Sequence, residues 1–272
     1  MATVSQVLRE GGVVHATQEA VWLIEAATGC SRTDLLIRRA DMDEPDAERA
    51  LELARRRAAG EPLQYLTGIV GFRRLELAVG PGVFIPRPET ELVAERAMEL
   101  LPPHGTLVDV GTGSGAIALS VAVERPDAFV VATESSSDAL RYATRNAERC
   151  HASVEFILCD LLSGVPSSLR GIVDVCVSNP PYVPLSEGAA LPRDVVDHEP
   201  HLALFAGGDG LGVLRRVASE ARAWLRSGGW LVLEIGDRQG AVAGPLLHDA
   251  GYREVAVRRD LAGRERIVEA TI

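Results

Sequence analysis

Two short stretches of the chain carry residue types and spacings that can do chemistry. The first is Asn179-Pro180-Pro181-Tyr182, which follows Ser178. Consecutive prolines fix two φ angles and present carbonyls without N–H groups, so the loop is stiff and rich in acceptors. A planar amide or aromatic amine is a poor nucleophile because its lone pair is delocalised. If the Asn179 side-chain oxygen and the Pro180 carbonyl each accept one N–H from such a group, its nitrogen can pyramidalise and aim a lone pair at a sulfonium methyl. No strong general base is required, because the proton becomes acidic only as the methyl arrives. Tyr182 can pack its ring on a flat target group. Asn179 and Pro180 are therefore the catalytic candidates, and Asn179, Pro180, Pro181 and Tyr182 the candidates for holding the substrate.

The second stretch is Gly111-Thr112-Gly113-Ser114-Gly115, directly after the apolar run 106–110. Glycines there let the backbone turn tightly and approach a ligand, and the helix that follows offers unpaired N–H groups. Glu134 stands nineteen residues beyond Gly115, at the end of the next apolar run. A carboxylate at that place can accept both hydroxyls of an adenosine ribose. Gly111-x-Gly113-x-x-Ala116 also fits a dinucleotide fingerprint, so a pyrophosphate cofactor and S-adenosylmethionine compete at this point. Asp160 ends a third apolar run and is read in two ways. It accepts from an adenine amino group, with Leu161 giving its N–H or an apolar wall, or it caps a helix beginning near Leu161.

These groups must be positioned by an alternation of strands and helices. Strands are expected at 106–110, 129–133, 154–158, 172–177, 230–235, 254–258 and 265–270, with helices near 91–101, 116–124, 137–149, 210–226 and 239–250. That order predicts an α/β doubly wound, seven-stranded Rossmann-like sheet closed by an antiparallel hairpin. Upstream, apolar residues recur at three and four spacing, as in Val21, Ile24, Leu35, Leu36, Leu51 and Leu53, and predict a small helical bundle over 1–61. Gly29 reads as a C-cap, and Ser31 with Asp34 as a capping box opening the next helix. Residues 62–88, with four glycines and Pro81, Pro86 and Pro88, read as a β-hairpin linker, and 89–272 as the catalytic domain.

Composition excludes several classes. The 272 residues carry 28 Lys+Arg against 38 Asp+Glu, a formal charge of −10, which opposes stable nucleic-acid binding because a phosphate footprint needs clustered cations. No apolar run approaches the ~20 residues of a membrane span, and the first residues lack a signal-peptide pattern, so a cytoplasmic protein without membrane contact is expected. Four cysteines without a C-x-x-C pair point to reduced thiols and no metal site.

The tetrapeptide Asn179–Tyr182 resembles motif IV of the amino-methyltransferases that use S-adenosylmethionine, which act on adenine N6 in DNA or on glutamine N5 in proteins. Pro62-Leu63-Gln64-Tyr65-Leu66-Thr67-Gly68, Ile85-Pro86-Arg87-Pro88-Glu89-Thr90-Glu91 and Gly263-Arg264-Glu265-Arg266 narrow the resemblance to the bacterial peptide chain release factor glutamine methyltransferases, the HemK/PrmC family. The resemblance spans nearly the whole chain. It implies a helical substrate-docking domain, a hairpin linker and a methyltransferase domain, with S-adenosylmethionine as cofactor and the Gly-Gly-Gln glutamine of class 1 release factors as substrate. It also implies that Gly111, Thr112, Gly113, Ser114, Gly115, Glu134, Leu161 and Asn179 line the cofactor site, to which the strand-end position of Asp160 adds that residue. A sibling group modifies a ribosomal-protein glutamine, and the Pro-Glu-Thr-Glu continuation after Arg87 goes with the release-factor branch. Adenine methylation of nucleic acid and a non-catalytic binding module are the rival readings.

Other residues receive plainer readings. Arg87 either contacts the ligand or braces the linker against Glu89 or Glu91. His198-Glu199-Pro200-His201 reads as a loop over the site rather than a metal centre. Trp22, Trp224 and Trp230 read as core residues, and Arg55-Arg56-Arg57 as a solvated helix face.

Overall fold

The structure, a computed structural model, describes residues 2–31, 33–34 and 43–272. Helices α1 (Ala2–Glu10), α2 (Ala16–Thr28) and α3 (Glu44–Ala58) pack into a bundle around Leu8, Leu23, Ile24 and Leu53. Gly29 ends α2 at φ +68 with its N–H on the Glu25 carbonyl. The Ser31 hydroxyl accepts the Asp34 N–H at 3.2 Å, as a capping box requires. Leu35 and Leu36 lie outside the described residues.

The linker differs from a hairpin running from residue 62 to residue 88. Leu63–Thr67 is a short helix, α4, whose Leu66 joins the bundle core while Tyr65 faces Val83 and Ile85. Only β1 (Ile69–Phe72) and β2 (Leu75–Ala78) pair. The apolar alternation in 63–67 is compatible with either period, and burial of Leu66 against the bundle decides for the helix. Residues 79–89 then run without regular structure toward the main sheet.

The remaining chain forms a seven-stranded sheet. Its strands are β3 (Thr106–Val110), β4 (Phe129–Glu134), β5 (Glu155–Leu158), β6 (Val173–Ser178), β7 (Leu225–Glu234), β8 (Arg253–Arg259) and β9 (Glu265–Thr271), in spatial order β5-β4-β3-β6-β7-β9-β8. The first five run parallel, and β9 pairs antiparallel with both β7 and β8. Helices α5 (Thr90–Leu100), α6 (Ala116–Glu124) and α7 (Ser137–Cys150) cover the face carrying Leu107, Val175, Val177 and Val232. Helices α10 (Gly212–Ala221) and α11 (Gly240–Asp249) cover the opposite face, which carries Val108, Cys176, Leu231 and Leu233. Two short helices, α8 (Arg193–His198) and α9 (His201–Leu204), sit in the long connection after β6. Alternate residues of each central strand thus enter separate cores, the pattern of a sheet buried on both sides.

Three readings of the chain are corrected here. The helix expected over 210–226 stops at Ala221, and β7 begins at Leu225, which pairs with Val173 of β6. Trp22 is 44% exposed, since Ala20, Leu23, Ile24 and Ala27 supply the bundle-facing side of α2, whereas Trp224 is buried. Arg57 is not a solvated residue: its Nε donates to the buried Glu19 at 2.7 Å. Among the described residues no helix is long and apolar enough to cross a membrane.

Candidate active site

The strand order reverses between the parallel neighbours β3 and β6, since the chain goes on from β3 to β4 on one side and from β6 to β7 on the other. A crevice opens outside the carboxyl ends of strands at such a switch point. The glycine turn leaves β3 there and Asn179 leaves β6, so two motifs 64 residues and more apart in sequence become neighbours. The Ser178 hydroxyl donates to the Val110 carbonyl at 2.6 Å and ties the two strand ends together. The crevice is a cleft of about 670 Å³, within the ~300–1,000 Å³ usual for small-molecule sites.

The glycine turn is held from behind. Gly111 and Thr112 both donate their N–H to the Thr133 carbonyl at 2.9 Å. Asp109, inside β3, accepts the Thr112 hydroxyl at 2.6 Å and the Ala118 N–H at 3.2 Å. Burial pushes the Asp109 carboxyl up to about 7 against those two hydrogen bonds. Thr112 and Ser114 turn their side chains into the protein, so what they offer the cleft is backbone. Gly111 and Gly113 adopt φ +72 and +58, and a Cβ on either would meet nothing within 4 Å. That open side is a cradle into which a ligand fits closely. Asn146 on α7, buried, donates to the Ser114 carbonyl at 2.9 Å and locks the turn to the hairpin.

Glu134 ends β4 facing the turn. One carboxylate oxygen accepts the Gly113 N–H at 2.8 Å and the other accepts the Ser135 and Ser136 N–H groups at 2.8 and 2.9 Å. The carboxylate is thereby immobilised before any ligand arrives, and the oxygen bonded to Gly113 keeps a spare lone pair. Asp160 and Leu161 also line the cleft. No helix starts at Leu161, which instead occupies a turn at φ +47, so the capping reading of Asp160 is corrected. The Asp160 carboxylate pairs with Arg216 of α10 at 2.7 Å.

Asn179 is held by residues that the motif does not contain. Its Nδ2 donates to the Thr90 hydroxyl at 3.0 Å, and Thr90 in turn donates to Glu234 at 2.7 Å. Glu234 ends β7 and is buried, with the Tyr182 phenol near it. Desolvation pushes its carboxyl up to about 7 and raises the Tyr182 hydroxyl as well. Asn179 Oδ1 has no hydrogen bond to any described residue, and neither has the Pro180 carbonyl. The Tyr182 carbonyl accepts from Gln239 at 2.9 Å, which fixes the far end of the loop.

The connection 183–205 forms an apolar wall of Leu191, Pro192, Val195, Leu202 and Leu204 along the cleft. Of the His198–His201 stretch, Pro200 lines the cleft, and among the described residues no three candidate ligands gather to hold a metal. Glu199 is buried and accepts from Arg87 and from the Ile85 N–H. Arg87 therefore braces the linker, but against Glu199 rather than Glu89 or Glu91. Its guanidinium lies 4.8 Å from the Phe84 ring centre.

Sequence reasoning missed Thr90, Asn146, Glu199, Arg216 and Glu234 as site residues. Glu234 did carry a signal, being a carboxylate that closes an apolar strand on the ligand edge, as Glu134 does. Asn146 carried none, since a polar residue in an amphipathic helix is read as solvated.

Comparisons with known proteins place the chain in a family. A family model described as PrmC N-terminal domain matches residues 1–68, and one described as Methyltransferase small domain matches residues 81–198. The chain is 43% identical to the release factor glutamine methyltransferase of Mycolicibacterium smegmatis over 97% of its length and 93% of that protein. It is 42% identical to the protein of the same name from Streptomyces coelicolor, over 99% of this chain and 96% of that one. Among solved structures, the hMettl16 catalytic domain in complex with the MAT2A 3'UTR hairpin 6 superposes with a TM-score of 0.58 at 18% identity. That superposition covers 81% of this chain and 82% of the other, and it shows the fold alone.

Proposed function

The chain belongs to the release factor glutamine methyltransferase family, and from that premise we propose that it methylates the side-chain N5 of the glutamine in the Gly-Gly-Gln loop of class 1 peptide chain release factors, in the cytoplasm. The observation that carries this reading is the pair of unpartnered acceptors, Asn179 Oδ1 and the Pro180 carbonyl, at the mouth of the crevice that also holds Glu134. A primary amide has two N–H donors, and this pair can accept both.

The residues present fit S-adenosylmethionine. Gly111 and Gly113 leave backbone bare on the cleft side, with Thr112, Ser114 and Gly115 completing the turn, and Glu134 is set to take ribose hydroxyls. Asp160, which lines the cleft beside Arg216, accepts from the adenine amino group in this reading, with Leu161 as an apolar wall. When bound, S-adenosylmethionine supplies an electrophilic methyl whose bond to sulfur breaks as the bond to the amide nitrogen forms. Asn179 and Pro180 bind the two amide hydrogens, draw the nitrogen out of conjugation and aim its lone pair. Pro181 keeps the loop rigid, and Tyr182 packs on the amide plane. One proton leaves the methylated nitrogen for solvent as its positive charge develops. The bundle at 1–61 docks the release factor, and residues 62–88 join it to the transferase unit at 89–272.

Incubating a purified class 1 release factor with the protein and S-adenosylmethionine tests the reading. Peptide mass mapping should find one added methyl on the Gly-Gly-Gln glutamine and none in a Gly-Gly-Ala control. A methyl elsewhere, or none while S-adenosylmethionine still binds, would reject the substrate assignment.

A further inference from the structure

The Asn179 amide can sit in its loop in two ways, with oxygen or nitrogen toward the substrate. Only the first offers the acceptor that the proposed chemistry needs, and nothing within Asn179-Pro180-Pro181-Tyr182 selects it. The selection is made behind the loop. Thr90 has one hydroxyl proton and can give it in only one direction. Glu234 Oε2 stands 2.7 Å away on the buried side and takes it, so Thr90 meets Asn179 as an acceptor, and Nδ2 answers at 3.0 Å.

We propose that Thr90 and Glu234 are positioning residues that set the polarity of the Asn179 amide, the Glu234 oxygen that takes the Thr90 hydroxyl proton obliging Thr90 to accept from Nδ2 and so presenting Oδ1 to the substrate amide. This rests on the methyl-transfer reading above and names the device that prepares its acceptor. A glutamine at 234 could donate to Thr90 through its NH2 group, turn the hydroxyl proton toward Asn179, and let the amide reverse. The buried end of the chain is arranged against that reversal. The Tyr182 phenol, from the loop after β6, lies near Glu234. Arg266 on β9 favours the Glu234 charge, whereas Glu89, just before α5, opposes it. Arg266 is itself engaged by Asp260 at 3.2 Å and lies 3.7 Å from Glu89.

The test uses Thr90→Val, Thr90→Ser and Glu234→Gln in the full chain, with two readouts. The first is hydrogen exchange of the Asn179 side-chain amide followed by NMR, its signal identified by loss in Asn179→Ala. Protection should be present in the wild type and in Thr90→Ser, and fall in Thr90→Val and Glu234→Gln. The second is the kinetics of release factor methylation beside S-adenosylmethionine affinity. In Thr90→Val and Glu234→Gln, kcat should fall by about tenfold to a hundredfold, the loss expected when a group that aims a reactant is left free. S-adenosylmethionine Kd should stay within about twofold, and Thr90→Ser should recover most of the rate. Unchanged amide exchange in both damaging variants, or no recovery in Thr90→Ser, would overturn the proposal. If wild-type protein leaves the release factor unmodified, the substrate reading fails while the exchange readout still decides the positioning claim.

Discussion

Asn146 on α7 and Ala78 at the end of β2 are joined by two hydrogen bonds, Ala78 N–H to Asn146 Oδ1 at 2.7 Å and Asn146 Nδ2 to the Ala78 carbonyl at 3.0 Å. The side chain mimics a strand partner for the last residue of the hairpin. The same Nδ2 reaches the Ser114 carbonyl, so hairpin and glycine turn share one anchor. Asn146→Ala strands three buried backbone groups and should lower stability by roughly 2–4 kcal/mol. Urea denaturation measures this, and S-adenosylmethionine affinity should drop with it. A variant as stable as the wild type would show that water replaces the amide without loss.

Two glycines in the same turn should fail differently. Gly115 has φ +89, and a Cβ would stand 2.8 Å from the buried Leu119 side chain, whereas a Cβ on Gly113, at φ +58, would enter the open cleft. Both substitutions to alanine bear a left-handed backbone penalty of about 1–2 kcal/mol. Gly115→Ala should show the larger fall in Tm. Gly113→Ala should show the larger rise in S-adenosylmethionine Kd at modest loss of Tm. Calorimetry on both proteins separates the two effects, and the reverse ranking would mean that the cradle has been misplaced.

Arg87 and Glu199 join the linker to the wall of the cleft, with the Glu199 side chain 1% exposed and that of Arg87 30% exposed. Burial raises the Glu199 carboxyl and Arg87 opposes the rise. Arg87→Met leaves a buried carboxylate with a single N–H donor, from Ile85. The destabilisation should be about 1–3 kcal/mol, below that of a fully enclosed pair because solvent reaches the arginine. Proteolysis within 183–205 should accelerate, and the Arg87→Met Glu199→Gln double variant should regain part of the loss. Equal cleavage rates in all three proteins would remove the pair from any role in holding the wall.

Stability should fall as pH rises toward neutrality. Asp109 and Glu234 are both pushed up to about 7 by burial. Between their ordinary carboxylate values and that pH the folded chain holds more protons than the unfolded one, so the slope is negative there and levels off above it. Glu124, held low first by its hydrogen bond from Arg73, works in the opposite sense at more acid pH. Thermal midpoints at about pH 5 and pH 8 should therefore differ in favour of the lower pH. The Asp109→Asn Glu234→Gln double variant should reduce that difference, and an unaltered difference would assign it to other groups.

Much of this protein is determined along the chain itself. Parallel strands covered on both faces read as unbroken apolar runs, and the glycines, prolines and acids at their ends mark the edge where ligands bind. Thus the seven strands and their closing hairpin, the glycine turn, Glu134 and Asn179-Pro180-Pro181-Tyr182 were all legible, as were their places at carboxyl strand ends. Regions with weaker periodicity were less so. Residues 63–67 alternated without forming a strand, and Trp22 sat in an apolar stretch yet faces solvent.

What only the tertiary structure decided is which group answers which. Thr90 meets Glu234 from 144 residues away, Arg87 meets Glu199 from 112, and Asn146 meets Ala78 from 68. No local pattern encodes such pairs, because they arise where strand order and helix packing bring unrelated segments together. The acceptor pair at Asn179 and Pro180 was readable from residue type. The direction in which the Asn179 amide points was not, since it follows from the proton of a distant hydroxyl and from the desolvated carboxylate that takes it.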